Sequence, residues 1–303
     1  MNRRRFIAGT TAGIFLPVLP ASGYSIEKTS ETPYRYCAFI KYLQEQSHEQ
    51  LAETLKTIGF DGAEVTVRQG GYISPEKAVD ELPALAQVFE EYELSIDILT
   101  TDIVGPDSPH AQGIIDTAAQ LGIQYYRMGF YRYDLESPIR PQLESFKPMV
   151  DEVAALNREA GVSAVYQNHS GGKYVGASFW DLVYLLENIP REEIGCIFDI
   201  RHAVAEGSGA WPVFYDIIKP HISALSAKDF CWQLKRESDE RLSPVHCPLG
   251  EGQVDYDAFC DRFKQDFPEA LITIHVEYLR NEGLEANIAA LDRDFTALKA
   301  AMD

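Results

Sequence analysis

The sequence predicts a single (β/α)₈ barrel with its active site at the carboxyl ends of the strands. Short apolar, β-branched segments alternate with helix-like segments, in pairs of about 30 residues that suit closure into a barrel. Three of the apolar segments are followed directly by polar runs, at residues 167–171, 199–202 and 275–278. Buried strands seldom end in groups that are costly to desolvate, so these endings indicate one shared polar site.

Each strand is predicted from a short apolar run, and each helix from apolar residues that recur at intervals of three and four. Pro75 in the first turn of the second helix and Gly161 after the fourth are typical end signals. The predicted strands are residues 35–40, 62–66, 94–100, 125–129, 162–166, 194–198, 222–228 and 271–276. The predicted helices are residues 48–58, a segment from Ser74, and residues 108–121, 141–160, 178–188, 211–218, 256–267 and 284–300.

Residues 35–303 are predicted to form one domain, because no linker rich in Pro, Gly or Ser divides them. An open, doubly wound sheet is the alternative. The chain lacks a G-x-G-x-x-G run after its first strand and lacks G-x-x-x-x-G-K, so no nucleotide cofactor is expected. The longest loop, residues 229–255, follows the seventh strand and is predicted to be a lid or a binding element.

Residues 1–23 have the layout of a signal peptide. Three arginines, Arg3 to Arg5, precede an apolar run at residues 14–19 and small residues at 21–23. The order resembles a twin-arginine export signal, so we expect export to a bacterial periplasm through the export machinery, with residues 24–34 as a tether. An ordinary secretory signal or an uncleaved anchor stays open.

The amino-acid composition argues against two classes of protein, those that bind nucleic acid and those built on disulfides. A net charge of −19 argues against nucleic-acid binding, because affinity for phosphate depends on Lys and Arg. The five cysteines form no C-x-x-C pair and leave one over, which does not indicate a disulfide framework. We therefore expect a small-molecule enzyme; its oligomeric state, including a homo-oligomer, stays open.

Two carboxylates are expected at one barrel mouth, because Asp199 and Glu277 end the sixth and eighth strands. They repel each other unless a cation lies between them. A divalent metal held by oxygen ligands is one solution. The ammonium group of Lys228, at the end of the seventh strand, is the other. His202, in a loop three residues after Asp199, is a candidate to bind a substrate hydroxyl or to pack without a role.

Other polar residues at strand ends and in the long loop are candidates for substrate binding. No G-x-S-x-G, H-E-x-x-H or C-x-x-C motif indicates a nucleophile or a zinc protease. Aromatic residues near the strand ends suit a carbohydrate, although core packing explains them equally well. The substrate-binding candidates are Arg68, Asp102, Arg127, His202, His246, Glu251 and His275.

From about residue 36 to residue 279, the chain resembles the xylose isomerase-like family of TIM barrels, the sugar phosphate isomerase/epimerase group. The resemblance rests on several short motifs taken together. They are residues 59–64, Asn168 and His169 with Gly171 and Gly172, Asp199 with His202, Lys228 with Asp229, residues 248–252, and Glu277.

The resemblance implies one divalent metal (Mn, Mg, Co or Zn), held by Glu, Asp, His and Glu at strands five to eight. Asp199 and Glu277 match this pattern, whereas Gln167 and Ser226 replace the expected Glu and His. The implied ligands are therefore Gln167, Asp199 and Glu277. The paired-Glu mechanism of the epimerases also loses a base, because an amide cannot take up the proton.

The resulting hypothesis is an exported sugar isomerase or epimerase that moves a proton beside a carbonyl of a non-phosphorylated sugar or keto-glycoside. Glu277 is the expected acid and base, Lys228 stabilises developing oxyanion charge, and His169, His246 or Lys228 replaces the missing base. Alternatives are a non-catalytic carbohydrate-binding barrel and a lyase or hydrolase of 3-keto-glycosides. The phosphodiesterase branch of the superfamily is disfavoured by the negative charge and the reduced ligand set.

Overall fold

The computed structural model describes residues 33–236, 238–279 and 282–303. The predicted signal peptide, residues 1–23, and most of the predicted tether lie outside the described residues. No helix in the described part of the chain is both long enough and apolar enough to cross a bilayer.

Eight parallel strands close into a barrel, which confirms the predicted fold class. Their order around the barrel is β1-β10-β7-β6-β5-β4-β3-β2, and β1 closes the ring by pairing with β10. Two further strands, β8 and β9, form a separate antiparallel hairpin. The strands are β1 (Tyr34–Phe39), β2 (Gly62–Thr66), β3 (Ser95–Thr100), β4 (Tyr125–Arg127), β5 (Ser163–Gln167), β6 (Ile194–Asp199), β7 (Ile222–Ala227), β8 (Asp229–Gln233), β9 (Ser243–Cys247) and β10 (Ala270–Ile274).

The helices pack around the barrel through their apolar faces. α1 begins with a capping box in which Ser47 and Gln50 exchange hydrogen bonds, and it ends at Gly59 in the left-handed conformation. The helices are α1 (His48–Ile58), α2 (Ala78–Glu91), α3 (Ala111–Gln120), α4 (Ile139–Ala160), α5 (Trp180–Leu186), α6 (Ile200–Gly207), α7 (Trp211–Ile218), α8 (Tyr256–Asp266) and α9 (Leu284–Met302).

The barrel interior changes from apolar to polar towards the carboxyl ends of the strands. A small apolar layer fills the interior, formed by Cys37, Ile98, Val165, Ile197 and Ala224. Side chains alternate along a strand, so the residue two positions further on faces the interior again. On four of these strands that residue is polar and buried, namely Thr100, Gln167, Asp199 and Ser226. The apolar layer therefore supports a polar one at the mouth.

Two features after β6 and β7 differ from the sequence prediction. His202 was expected in a loop, but it lies in the first turn of α6, because Asp199 caps that helix and accepts a hydrogen bond from the backbone N–H of His202 at 3.0 Å. The long loop at residues 229–255 contains the β8–β9 hairpin, which the sequence did not predict.

Candidate active site

Glu64 lies in the polar layer of the barrel and is fully buried. It accepts hydrogen bonds from Thr100 and from Thr273, lies 2.8 Å from Nε2 of His275, and lies 3.4 Å from the guanidinium of Arg127. Burial would raise the pKa of Glu64, but His275, Arg127 and the hydrogen bonds hold it well below its ordinary value. The carboxylate is thus a fixed anion that organises the layer.

A continuous chain of polar contacts runs from Arg127 to Glu277. Arg127 donates a hydrogen bond to the side-chain oxygen of Gln167, whose amide nitrogen donates to Asp199 at 2.7 Å. The ammonium of Lys228 lies 2.9 Å from Oδ2 of Asp199 and 3.2 Å from Oε2 of Glu277. The cation therefore joins the two carboxylates that the sequence placed at one mouth.

Glu277 has further cationic and imidazole neighbours. The ammonium of Lys41 lies 3.3 Å from its Oε1, and Nε2 of His246 lies 3.9 Å from its Oε2. Burial would raise the pKa of Glu277, but Lys228 and the neighbouring His275, His246 and Lys41 hold it well below its usual range. Glu277 is consequently ionised at neutral pH.

The donor set does not fit a divalent cation. The side-chain oxygen of Gln167 is taken by Arg127, and its NH₂ group faces Asp199. The ammonium of Lys228 already pairs with both Asp199 and Glu277. The residues that the structure describes include no cluster of three or more His, Cys, Asp or Glu side chains able to hold a metal ion. The contacts match the alternative in which Lys228 lies between the two carboxylates. The resemblance implied the metal ligands Gln167, Asp199 and Glu277; they stay a prediction that this arrangement does not favour.

His202 is held in one tautomer. Its Nδ1 accepts hydrogen bonds from the backbone N–H of Ser170 at 3.1 Å and from the guanidinium of Arg201 at 2.8 Å. A ring nitrogen that accepts carries no proton, so the proton of the neutral imidazole is on Nε2. Nε2 is buried and has no hydrogen-bond partner among the described residues. Nε2 lies 3.7 Å from Oδ2 of Asp199, too far for a hydrogen bond, so this N–H donor stays unpaired beside the carboxylate network.

The three histidines at the mouth are neutral at pH 7. Burial, with the charge of Lys228, lowers the pKa of His169 to about 4. Burial lowers the pKa of His246 to about 3, although Glu277 opposes the shift. Burial, together with the nearby positive charges of Lys228 and Arg201, holds the pKa of His202 well below its ordinary value. Each ring therefore offers one donor and one acceptor nitrogen.

A cavity of about 1150 Å³ opens at this end of the barrel. Four predicted site residues line it, namely His169, His202, His246 and Glu277. The β8–β9 hairpin forms one wall through residues such as Gln233 and Pro244. Its size and its mixture of ionic, amide and aromatic groups suit a polar small molecule.

Five predicted substrate-binding residues do not line this cavity, namely Arg68, Asp102, Arg127, Glu251 and His275. Arg127 and His275 are buried against Glu64, and the ring of His275 also stacks on Phe39 at 4.2 Å. Asp102 is exposed, because it follows the end of β3 where the chain leaves the barrel. Glu251 is exposed as well, and Arg68 is half-buried.

Three residues that line the cavity were not predicted as site residues, namely Lys41, Arg201 and Ser170. Lys41 lies in a 3-10 turn directly after β1, and its position at the end of the first strand was the signal that would have found it. Arg201 and Ser170 lie within the polar runs that were recognised, but no sequence signal indicates that they hold His202 in place.

Comparison with known proteins agrees with this architecture. Residues 52–294 match the family model described as xylose isomerase-like TIM barrel. No protein of curated function matches the sequence significantly.

Several solved structures share the fold. The IOLI protein with a binding zinc atom aligns with a TM-score of 0.66 and 18% identity, over 89% of this chain and 99% of that chain. D-psicose 3-epimerase with D-tagatose, from Clostridium cellulolyticum, gives 0.61 and 11% over 89% and 99%. The 3-keto-D-glucoside 4-epimerase YcjR from E. coli gives 0.62 and 11% over 88% and 100%. At these identities the likeness concerns the fold alone.

Proposed function

Because the chain belongs to the xylose isomerase-like TIM barrel family, we propose that it is a sugar isomerase or epimerase that moves a proton at the carbon beside a carbonyl. The substrate class we propose is a non-phosphorylated sugar or a keto-glycoside. The observation that carries the proposal is the contact of Lys228 with Glu277, an ionised carboxylate that lines the cavity.

Glu277 is the proposed acid and base. Its carboxylate is ionised and faces the cavity, so it is ready to accept a proton from substrate carbon. A low pKa makes a carboxylate a weak base. A substrate oxygen that draws the ammonium of Lys228 towards itself weakens the ion pair and raises the basicity of Glu277 in the bound state.

Lys228 and His202 are the proposed stabilisers of the oxyanion that forms when the proton leaves carbon. Lys228 is nearly buried, and an ammonium in a site of low dielectric stabilises developing negative charge strongly. The N–H at Nε2 of His202 is a second donor whose direction is fixed by Ser170 and Arg201. No step of this mechanism requires a metal ion.

Return of the proton determines the type of product. One carboxylate that removes and returns a proton on the same face of the substrate suffices for isomerisation between neighbouring carbons, whereas inversion needs a second acid. Gln167 cannot fill that role. The remaining N–H groups of the neutral rings of His246, 3.9 Å from Glu277, and of His169, which also lines the cavity, are the proposed proton donors.

The test is incubation of the purified protein with a panel of ketohexoses, aldohexoses and 3-keto-glycosides in deuterated water, followed by NMR. We expect deuterium at one carbon beside the carbonyl of one substrate class, together with an isomerised or epimerised product. Release of the aglycone from a keto-glycoside would instead establish the lyase or hydrolase alternative. Sugar binding by calorimetry without exchange at any carbon would establish a carbohydrate-binding barrel.

A further inference from the structure

The β8–β9 hairpin carries two cysteines whose sulfur atoms lie close together. Sγ of Cys231 lies 3.1 Å from Sγ of Cys247. The strand register opposes Cys247 to Asp229, and Cys231 follows Asp229 by two residues, so both cysteines lie on one face of the hairpin. A disulfide has a sulfur separation of about 2.05 Å, so the bond would form after about 1 Å of movement.

The two thiols differ from the other cysteines in exposure. Cys231 and Cys247 are half-buried, whereas Cys37, Cys196 and Cys260 are fully buried. A soluble oxidant therefore reaches the hairpin thiols first.

We propose that Cys231 and Cys247 form a reversible disulfide that locks the β8–β9 hairpin at the wall of the cavity. The oxidant is a small disulfide such as glutathione disulfide. One protein thiolate attacks a sulfur of the oxidant and releases one glutathione thiol. The second protein thiolate attacks the mixed disulfide and releases the other, so the protein loses two hydrogen atoms and the oxidant gains them.

The cross-link would lie on the face of the hairpin opposite His246 and would act on the cavity wall through the backbone of the two strands. His246 precedes Cys247 on β9 and faces Glu277, and the carbonyl of Pro244 accepts a hydrogen bond from Arg201 at 3.0 Å. A bond between the two strands would hold this wall in one conformation. The formation of the bond is independent of the proposed function, because its readout is covalent.

The rate at which the disulfide forms should depend on pH. Burial, the hydrogen bond with Cys231 and the negative charges of Asp229 and Glu251 raise the pKa of the Cys247 thiol. Since the thiolate is the nucleophile, we expect the disulfide to form faster as the pH rises.

Limited trypsin digestion of the full chain tests the proposal, because exposed Lys235, Arg236 and Arg241 lie between the two cysteines. The protein is treated with glutathione disulfide, nicked with trypsin and run on a denaturing gel without reductant. We expect the nicked wild-type chain to stay joined and to separate into two fragments when reductant is added. The Cys231→Ser and Cys247→Ser variants should separate without reductant.

The mass of the intact oxidised protein provides the second readout. We expect the loss of two hydrogen atoms and no glutathione adduct. Fragments of the oxidised wild type that separate without reductant would overturn the proposal, and so would a stable glutathione adduct on Cys231 or Cys247.

Discussion

Among single residues, Lys228 is the one whose charge stabilises the two carboxylates at the carboxyl end of the barrel. Its ammonium contacts Asp199, which is fully buried, and Glu277, which is largely buried. Two carboxylates at one mouth would repel each other without this cation. The same group is the proposed oxyanion donor, so its removal should affect stability and turnover at once.

We predict that Lys228→Met destabilises the fold by about 3–5 kcal/mol, because it leaves buried carboxylate charge without its partner. Turnover should fall by about 10²-fold or more, as is typical when an oxyanion donor is removed. Urea denaturation and initial rates measure the two effects. The double variant Lys228→Met with Asp199→Asn is the matched control and should recover part of the stability but none of the turnover. A single variant of wild-type stability would contradict this view of Lys228.

We predict that the free energy of unfolding depends on pH, because buried histidines at the mouth are neutral in the folded protein. The folded pKa of His169 is about 4 and that of His246 about 3, below the unfolded value of about 6.5. Between these values the unfolded chain binds more protons than the folded one, so stability is fully present above about pH 6.5 and declines as the pH falls. Each histidine contributes a slope of at most about 1.4 kcal/mol per pH unit.

Urea midpoints measured from pH 7 to pH 4.5 check this dependence. His169→Asn should flatten the decline, because it removes one of the protonating groups, whereas a similar substitution of exposed His110 should leave the slope unchanged. A decline in His169→Asn as steep as that of the wild type would show that the ring of His169 is charged in the folded protein.

The sequence predicted the residues of the site better than their roles. Asp199, Lys228 and Glu277 were identified because each follows directly on an apolar strand, and strands of a barrel converge at their carboxyl ends. The role of Arg127 was not predictable in the same way. Its partners, Glu64 and Gln167, are on other strands, and only the register of the barrel brings them within reach.

Among the elements, the loop that contains the motif at residues 248–252 is held against the end of β7 by Asp229. Its carboxylate accepts hydrogen bonds from the backbone N–H groups of Gly250 and Gly252 at 3.1 and 3.0 Å, and from Gln253 and Val254 at 3.0 and 3.1 Å. A Cβ at Gly252 would lie 2.2 Å from the carboxylate, so the close approach requires glycine there.

We predict that Asp229→Asn loosens this loop and the hairpin before it. The amide NH₂ cannot accept hydrogen bonds and would face backbone N–H donors, at a cost of about 1–3 kcal/mol. Hydrogen exchange of the amides at 250–254 should become faster. Asp239→Asn, in the connection between β8 and β9, is the matched control and should leave these amides unchanged. Unaltered exchange in Asp229→Asn would contradict the assigned role of the carboxylate.

The hairpin itself was not predictable from the local sequence. β9 contains Pro244, which argues against a strand, and the connection between β8 and β9 lacks the short turn motif typical of hairpins. Its position depends on contacts with distant residues, such as that between Arg201 and Pro244.

At the scale of the whole molecule, the barrel was predictable because alternating apolar and amphipathic segments leave few ways to bury both faces of the strands. The bounds of α1, β2 and α7 agree with the prediction to the residue. The ends of other elements shifted by a few residues. The helix α6 was not predicted, because its cap at Asp199 depends on tertiary contacts.

We propose that the protein functions in the periplasm after removal of residues 1–23. N-terminal sequencing of the protein purified from the periplasm of a bacterial host should give a sequence that begins near Tyr24. Replacing Arg3, Arg4 and Arg5 by Lys should retain the chain in the cytoplasm while leaving the net charge unchanged. Retention of residues 1–23 in an exported protein would support an uncleaved anchor instead.

If Glu277 moves a proton to and from substrate carbon beside Lys228, hydrogen exchange at that carbon should depend on its carboxylate. The most direct measurement is the rate of deuterium uptake from deuterated water at the carbon beside the carbonyl, compared between wild type, Glu277→Gln and Glu282→Gln. Glu282 lines the same cavity and is exposed, so its variant controls for loss of charge alone. We predict that the rate of uptake falls by about 10²-fold or more in Glu277→Gln and is retained in Glu282→Gln. Wild-type uptake in Glu277→Gln would show that Glu277 does not move the proton.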